Sequence, residues 1–407
     1  MSLYLDRYGW PQSEFPEFIP DKNLEIIVII PCYNEPDLIK SLRSLEACTS
    51  SENVLVMVII NESEFESDYL IENNRRTIEE ISSNNFTIPI LSKLIPLPDK
   101  KAGVGLARKI GMDEAVRKFE SIKKDGIIVC FDADCLCAPN YFEEIKKFYS
   151  KRGKKVGLVH YEHDLSGDNI EAIINYELYL RYYVNAMRWA KFPFAFQTLG
   201  SCITVRSKAY QKQGGMNTRQ AAEDFYFIHK MMPLGGIGEL NATCIYPSDR
   251  VSDRVPFGTG QAVAKFLNQE NDGYEVYNPR IFAELKQFLE TTFSYLFDFP
   301  DYEAVGYSPN VVHFLKQINF NQDLKKMRTN ASNSVSFMNR FFQWFDGFRA
   351  LKFVHFMRDH YYENIDIIDA LGWLNHQHLK LENFDGTKEM KLILIRKHDQ
   401  EAGFYIK

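Results

Sequence analysis

Over the first half of the chain, short unbroken apolar runs alternate with stretches whose apolar residues recur at helical spacing. The run Glu25-Ile-Ile-Val-Ile-Ile30, within 24–31, leaves no polar face and predicts a strand buried on both sides. Leu38, Leu42 and Leu45 then mark a helix over 37–47. The alternation continues with a strand over 54–60 and a helix over 67–81 on Tyr69, Ile71, Ile78 and Ile81. Next come a strand over 86–95, a helix over 106–119, a strand over 126–131 and a helix over 139–149 with Pro139 near its first turn. A strand over 155–161 and a long helix over about 170–190 follow. This rhythm predicts an α/β fold, a mainly parallel sheet flanked by helices. Ligands in such sheets bind beyond the carboxyl ends of the strands, so the polar residues there carry the chemistry.

From about residue 260 the pattern becomes helical, over 281–299, 334–358 and 366–375. Phe341, Trp344, Phe345, Phe348 and Leu351 share one helical face and are expected to be core. A lipid- or partner-facing role is the lesser alternative, because no basic amphipathic block surrounds them. The expected organisation is an N-terminal arm over 1–23, rich in Pro and aromatic residues, an α/β domain over 24–259 and a helical C-terminal region over 260–407.

Composition narrows the function. Lys and Arg number 48 against 54 Asp and Glu, a net charge of −6, which argues against a general nucleic-acid binder. Seven cysteines without a CxxC pair suggest neither a disulfide framework nor a zinc ribbon, and Cys130, Cys135 and Cys137 read as packing residues. No secretory signal opens the sequence, and no apolar run approaches the roughly 18 residues of a membrane span. The expectation is a cytoplasmic protein with no transmembrane segment, with peripheral membrane contact left open.

Four polar clusters follow the expected strands. Pro31-Cys-Tyr-Asn-Glu35 sets an aromatic ring, an amide and a carboxylate at the end of the first; taken alone it is also an ordinary turn and helix start. Asn61-Glu62-Ser63 closes the second and also reads as a helix cap. Gly103-Val-Gly-Leu-Ala-Arg108 is no dinucleotide fingerprint, since its sixth position is Arg, and no P-loop occurs anywhere. It offers a glycine turn followed by a cation, suited to a diphosphate. Asp132-Ala-Asp134 ends the fourth strand. Two carboxylates so close are costly without a cation between them, and oxygen ligands suit Mg²⁺ or Mn²⁺. On this motif alone an exposed acidic turn is an equal reading. Further on, Glu223-Asp224 opens an apolar helix after Gly214-Gly215, a place for dipole compensation or for a general base.

The order Pro31-Cys-Tyr-Asn-Glu35, Asp132-Ala-Asp134, Glu223-Asp224 resembles the family-2 glycosyltransferases of the Rossmann-like GT-A fold, over roughly residues 24–255. The resemblance implies a nucleotide-diphosphate-sugar site formed by Pro31, Tyr33, Asn34, Glu35, Asn61, Arg108, Asp132, Ala133 and Asp134, with Tyr33 and Glu35 at the base and ribose. It implies Mn²⁺ or Mg²⁺ on Asp134 and Asp132, and Asp224, beside Glu223, as the base of an inverting transfer to a carbohydrate or other hydroxyl acceptor. Gly214-Gly215 would belong to the acceptor side. The family often has Asp at the position of Asn61, pairing with uracil; Asn there can still accept a hydrogen bond but weakens the case for uridine, and a UDP-sugar stays the first expectation with a GDP-sugar the second. The Q-x-x-R-W signature of processive members is missing, since Arg188-Trp189 precedes Glu223-Asp224; a membrane-embedded synthase is not expected.

Pro247-Ser-Asp-Arg-Val-Ser-Asp253 is similar to the Pro-Cys-Ser-Arg-Val-Gly-His segment of the retaining polypeptide N-acetylgalactosaminyltransferases, which pulls towards retention. It puts Asp253 where the family's metal-binding His would be, with Arg250 or Arg254 as counter-charge to a diphosphate. The plain alternative is a loop of solvated ion pairs. Two rivals stand beside this reading. A haloacid-dehalogenase-like phosphohydrolase also uses Asp-x-Asp, but on its first core strand and with Thr or Val where this chain has Leu136. A non-catalytic nucleotide-binding module has no need to keep Asp132, Asp134 and Asp224 together.

Overall fold

In the computed structural model, which describes residues 2–98, 101–167, 169–219, 222–250, 273–298 and 301–406, the central strand is β1 (Ile26–Cys32), buried at every position. It lies between two parallel neighbours, β2 (Val54–Ser63) and β4 (Ile127–Cys130), with Ile26 opposite both Val54 and Ile127. β3 (Ile90–Leu97) extends the sheet beyond β2, and β5 (Leu136–Cys137) pairs antiparallel with the later β8 (Ile237–Tyr246). β6 (Val156–Tyr161) runs parallel to β8, and β7 (Ile203–Arg206) lies antiparallel between β4 and β6. Among the described residues the short strands β9 (Glu275–Val276) and β10 (Ile365–Asp366) pair only with each other, while β11 (Tyr405–Ile406) adds to β8. The main sheet is ordered β11-β8-β6-β7-β4-β1-β2-β3, the mainly parallel α/β arrangement expected, with β7 as an antiparallel insert.

β2 runs through Asn61, Glu62 and Ser63, which pair with Ile95, Pro96 and Leu97; this cluster is strand and not a helix cap. Pro31 does not stop β1 but lies within it, opposite Ile59. The first helices are α1 (Leu3–Arg7), α2 (Leu38–Glu46), α3 (Asp68–Ser83), α4 (Val104–Ser121), α5 (Tyr141–Ser150), α6 (Ile170–Trp189), α7 (Ser207–Lys212) and α8 (Glu223–Met231). α4 is buried on most of its surface and packs on β1 and β2. A methyl at Gly111 would fall 2.4 Å from Ile29, so glycine is what lets the helix approach the sheet.

The chain divides into two compact units. One comprises Met1–Ile173, Thr198–Asn268 and Asp399–Lys407; the other comprises Ile174–Gln197 and Gln269–His398. Most of α6 thus belongs with the helical region, which the sequence boundary at 260 did not anticipate. There Tyr182 of α6 donates its hydroxyl to the Tyr277 carbonyl at 2.7 Å, and Glu177 accepts from both Arg181 and Arg396. The expected helix over 334–358 is two helices, Ser334–Trp344 and Gly347–His360, because Asp346 caps the second by accepting from Arg349 N at 3.0 Å. Phe341 and Phe345 are fully buried in an aromatic cluster with Phe288 and Phe353, the core role expected of that face.

The N-terminal arm is tethered to α4 through two buried carboxylates. Asp113 accepts from Tyr4 Oη (2.6 Å), Tyr210 Oη (2.7 Å), Trp10 N (2.8 Å) and Lys109 Nζ (2.8 Å). Glu114 accepts from Ser13 Oγ at 2.8 Å and from Glu14 N at 3.2 Å. Removing a buried carboxylate strands the charge and donors that faced it, a loss of about 3 kcal/mol or more. Asp113→Ala should therefore lower unfolding free energy in urea by about 3 kcal/mol, against about 1–2 kcal/mol for Tyr4→Phe, which removes the hydroxyl's bonds to Asp113 and from Lys109 but leaves the carboxylate its other donors. Equal small effects for both would show that the arm is not held by this carboxylate.

Candidate active site

Because β1, β2 and β4 are parallel, their carboxyl ends bring three of the polar clusters to one edge of the sheet. After β1 the chain turns at Asn34, whose φ of 46° lies in the left-handed region that Asn tolerates better than most residues. α3 holds this turn: Asn74 Oδ1 accepts from Asn34 N at 3.3 Å, and Asn73 Nδ2 donates to Asn34 Oδ1 at 3.1 Å. Asn74 also donates to Glu62 at 3.2 Å, joining the ends of β1 and β2. Tyr33 donates its hydroxyl to Glu66 at 2.8 Å. Glu35 is buried, accepting from Asp37 N at 3.1 Å and from Arg250 Nη2 at 2.6 Å. Asn61 is buried near the end of β2.

The Asp132-Ala-Asp134 turn follows β4 directly. Its Ala133 carbonyl accepts from Ser41 Oγ of α2 at 2.8 Å, which fixes the turn's backbone, while Asp132 and Asp134 remain partly exposed. Beneath it lies Arg108, with its side chain 2% exposed. One Nη donates to Asp132 Oδ1 at 2.5 Å and the other to Glu223 Oε1 in the first turn of α8. Arg108 is therefore not the surface cation expected at a diphosphate; two carboxylates already take its charge. Two glycines make room for this bridge. A Cβ on Gly200 would sit 2.8 Å from the guanidinium, and one on Gly105 would sit 2.1 Å from the Arg219 carbonyl oxygen.

Asp224, next to Glu223 and partly exposed, has its carboxyl pushed up from 3.8 to about 7. Burial is the main cause, followed by the charge of Glu223, with Arg108 pulling the other way. The site thus holds carboxylates of two kinds: Asp132, tied to a cation, and Asp224, poised to exchange a proton near neutrality.

The structure brings Tyr33, Asn34, Glu35, Asn61, Asp132, Ala133 and Asp134 to the strand ends and joins Glu223 to Asp132 through Arg108. Pro31 sits one step back, inside the sheet. Asp253, with the rest of 251–260, lies outside the described residues. Sequence reasoning missed Asn73 and Asn74. Their signal was two adjacent asparagines inside a helix, where Asn is neutral to unfavourable unless its side chain has tertiary work.

Residues 27–212 match the family model described as Glycosyl transferase family 2. No curated protein matches the sequence. Solved structures similar to the chain include Staphylococcus aureus TarS 1-349 in complex with UDP-GlcNAc, at 12% identity and a TM-score of 0.42, over 79% of this chain and 91% of that one. The same TarS region in complex with UDP aligns at 13% identity and a TM-score of 0.39, over 79% and 90%. The mannosyltransferase PcManGT from Pyrobaculum calidifontis, in complex with GDP-Man and Mn²⁺, aligns at 16% identity and a TM-score of 0.34, over 84% and 92%.

The raised Asp224 carboxyl has a stability signature. Between pH 4 and about 7 the unfolded chain has released this proton while the folded chain keeps it, so this group's contribution to stability falls as pH rises. In the ligand-free protein, Asp224→Asn should flatten the dependence of unfolding free energy on pH across that window. A variant slope that overlays the parent's would mean the carboxyl is not shifted.

Proposed function

With a family 2 glycosyl transferase domain over residues 27–212, the chain is a glycosyltransferase, and we propose that it carries a sugar from a nucleoside-diphosphate donor to a hydroxyl acceptor with inversion at the anomeric carbon. The observation that carries this reading is the Arg108 bridge. It unites the Asp-x-Asp turn with the Glu223-Asp224 helix, partners 24 and 115 residues away from Arg108 in sequence.

In this reading the nucleoside lies over the ends of β1 and β2, with Tyr33 and Glu35 at the base and ribose and Asn61 hydrogen-bonding the base. UDP is tried first and GDP second; the Asn61 amide, which both donates and accepts, can pair with the donor and acceptor edge of either base. Arg250, paired with Glu35 at 2.6 Å, brings a cation to that pocket.

The donor set at Asp132 and Asp134 fits a hard divalent ion. Both are carboxylates on a fixed turn, the Asp132 side chain is 36% exposed while one oxygen is held by Arg108, and Mg²⁺ or Mn²⁺ commonly takes one or two carboxylates and completes its shell with substrate phosphates. Such an ion, when bound, would offset the charge that develops on the departing diphosphate. Asp134 would be its principal ligand.

Asp224 is the general base. Burial first, and then the charge of the adjacent Arg-paired Glu223, raise its proton affinity, and in ionised form it takes the proton of the acceptor hydroxyl as that oxygen attacks. Glu223 touches Arg108 and acts by holding the helix start in place. A single base facing the acceptor, with no described nucleophile assigned to a covalent step, goes with one displacement and an inverted product.

Incubation with UDP- and GDP-sugars and Mn²⁺, followed by proton NMR of the first product, tests the reading; a retained anomer would refute the role of Asp224. Asp224→Asn should cost about 10²–10⁴ in kcat, the usual worth of a positioned base, with donor affinity kept. In the parent, kcat/KM should rise with pH and level off above about 7, the value to which the Asp224 carboxyl is raised. Asp134→Ala, or excess EDTA, should abolish transfer while circular dichroism and melting temperature stay near those of the parent. Full activity in EDTA would remove the metal from the proposal.

A further inference from the structure

A second group of metal-capable side chains lies in the first unit, made of different donors. His160, Glu162 and Cys244 each present one ligand atom, and these atoms lie within 4.8 Å of one another. His160 and Cys244 are buried, and His160 Nε2 is 3.0 Å from Glu162 Oε1. We propose that these three side chains form a binding site for a borderline divalent metal, Zn²⁺ first, separate from the carboxylate pair at Asp132 and Asp134.

The backbone assembles the group by an irregularity. β6 and β8 pair in regular parallel register up to Val159 opposite Leu240, and the next pair is His160 opposite Cys244. Asn241, Ala242 and Thr243 are thus looped out of the ladder. In an unbroken register His160 would face Asn241, and no thiol would stand beside it. The loop is anchored: Asn140 Nδ2 donates to the Ala242 carbonyl at 2.9 Å, Thr243 Oγ1 donates to Asn140 Oδ1 at 2.8 Å, and Asn241 Nδ2 donates to the Asp399 carbonyl at 2.7 Å. Bulges commonly re-aim side chains at functional positions. Glu162 follows His160 by two residues, so it projects to the same face, and its amide donates to the Ile245 carbonyl at 3.0 Å, carrying the ladder one step past β6. Gln400 donates to Glu162 at 3.2 Å.

The chemistry of the set selects the metal. An imidazole, a carboxylate and a thiol are all zinc donors, and three protein ligands leave one tetrahedral position for water or another small ligand. Bond lengths of about 2.0–2.3 Å place tetrahedral ligands roughly 3.5 Å apart, so His160 Nε2 and Glu162 Oε1, now 3.0 Å apart, open slightly while any pair near the 4.8 Å limit closes by about 1 Å through χ rotation. Mg²⁺ and Mn²⁺ prefer all-oxygen shells and are disfavoured here. On binding, the Cys244 thiol gives its proton to solvent as the metal–sulfur bond forms, and His160 binds through Nε2 with its proton on Nδ1.

Cobalt(II) reports on this site directly, because coordination by a thiolate gives an intense charge-transfer absorption that oxygen ligands lack. The full-length, metal-stripped protein should take up one equivalent of Co²⁺ with that band, which Zn²⁺ then bleaches, and Zn²⁺ alone should raise the melting temperature. Cys244→Ser should abolish the band, and His160→Asn should shift or weaken it at least tenfold in Co²⁺ affinity, each in protein whose circular dichroism matches the parent. If Cys244→Ser does not fold, His160→Asn and Glu162→Gln carry the test. Cys137→Ser, which removes a thiol whose sulfur is 3.4 Å from Cys48, and Asp134→Ala should leave the band intact. A parent without the band, or a band that survives the His160 and Cys244 variants or follows Cys137, overturns the proposal.

Discussion

A guanidinium buried between two carboxylates is the constraint on which the rest of the site depends. Arg108 has almost no contact with water, so its charge is tolerable only because Glu223 and Asp132 face it. The same arrangement runs in reverse. Asp132, Glu223 and Asp224 share a small volume with this one cation, and the last of them, which takes no hydrogen bond from Arg108 among the described contacts, keeps its proton to near neutral pH. One buried arginine therefore sorts the three carboxylates: Asp132 and Glu223 are tied to it as ion pairs, and Asp224 is left with a raised proton affinity.

Much of the surrounding structure serves to keep that guanidinium where it is. Gly200 leaves room for it, Gly105 lets the loop before α8 close over α4, and Ser41 pins the carbonyl of Ala133 so that the acidic turn cannot swing away. On the other side of α4, Asp113 and Glu114 tie down the N-terminal arm. α4 is thus a hub with charge partners at several positions, which explains why it carries Arg, Asp, Glu and Lys at buried sites and lacks a clean apolar stripe.

The strands were legible because a parallel sheet buried on both faces demands unbroken apolar runs, and Ile26–Ile30 and Val54–Ile60 have no other use. Asp132-Ala-Asp134 was legible because it follows such a run, and Glu223-Asp224 because it opens an apolar helix. What escaped is what depends on partners distant in sequence. Arg108 read as a cation for phosphate because its glycine turn is local, whereas its real partners are 24 and 115 residues away. β7 is four residues long and its antiparallel direction is set only by the neighbours it finds. The break before Gly347 hides in an aromatic run whose periodicity continues across it, with Asp346 as the sole mark of a new helix start. The looped-out Asn241–Thr243 leaves no trace in the pattern of β8, since only the partner strand reveals the skip.

The way the chain crosses between its two units has a consequence for biosynthesis. It passes from one to the other at residues 173–174, returns at 197–198, leaves again at 268–269 and returns at 398–399. On the ribosome the two strands emerge far apart: Tyr405 and Ile406 follow the strand they cover by more than 150 residues. Until then Ile237 and Gly238, at the start of β8, present unpaired backbone groups on the edge whose far end β5 already covers, the kind of edge that recruits foreign strands. Loop closure over so long a separation is slow as well as late. The nascent protein thus carries an open stretch of edge throughout the synthesis of everything between the two strands, and a chain that stopped before Tyr405 would keep it open for its whole life.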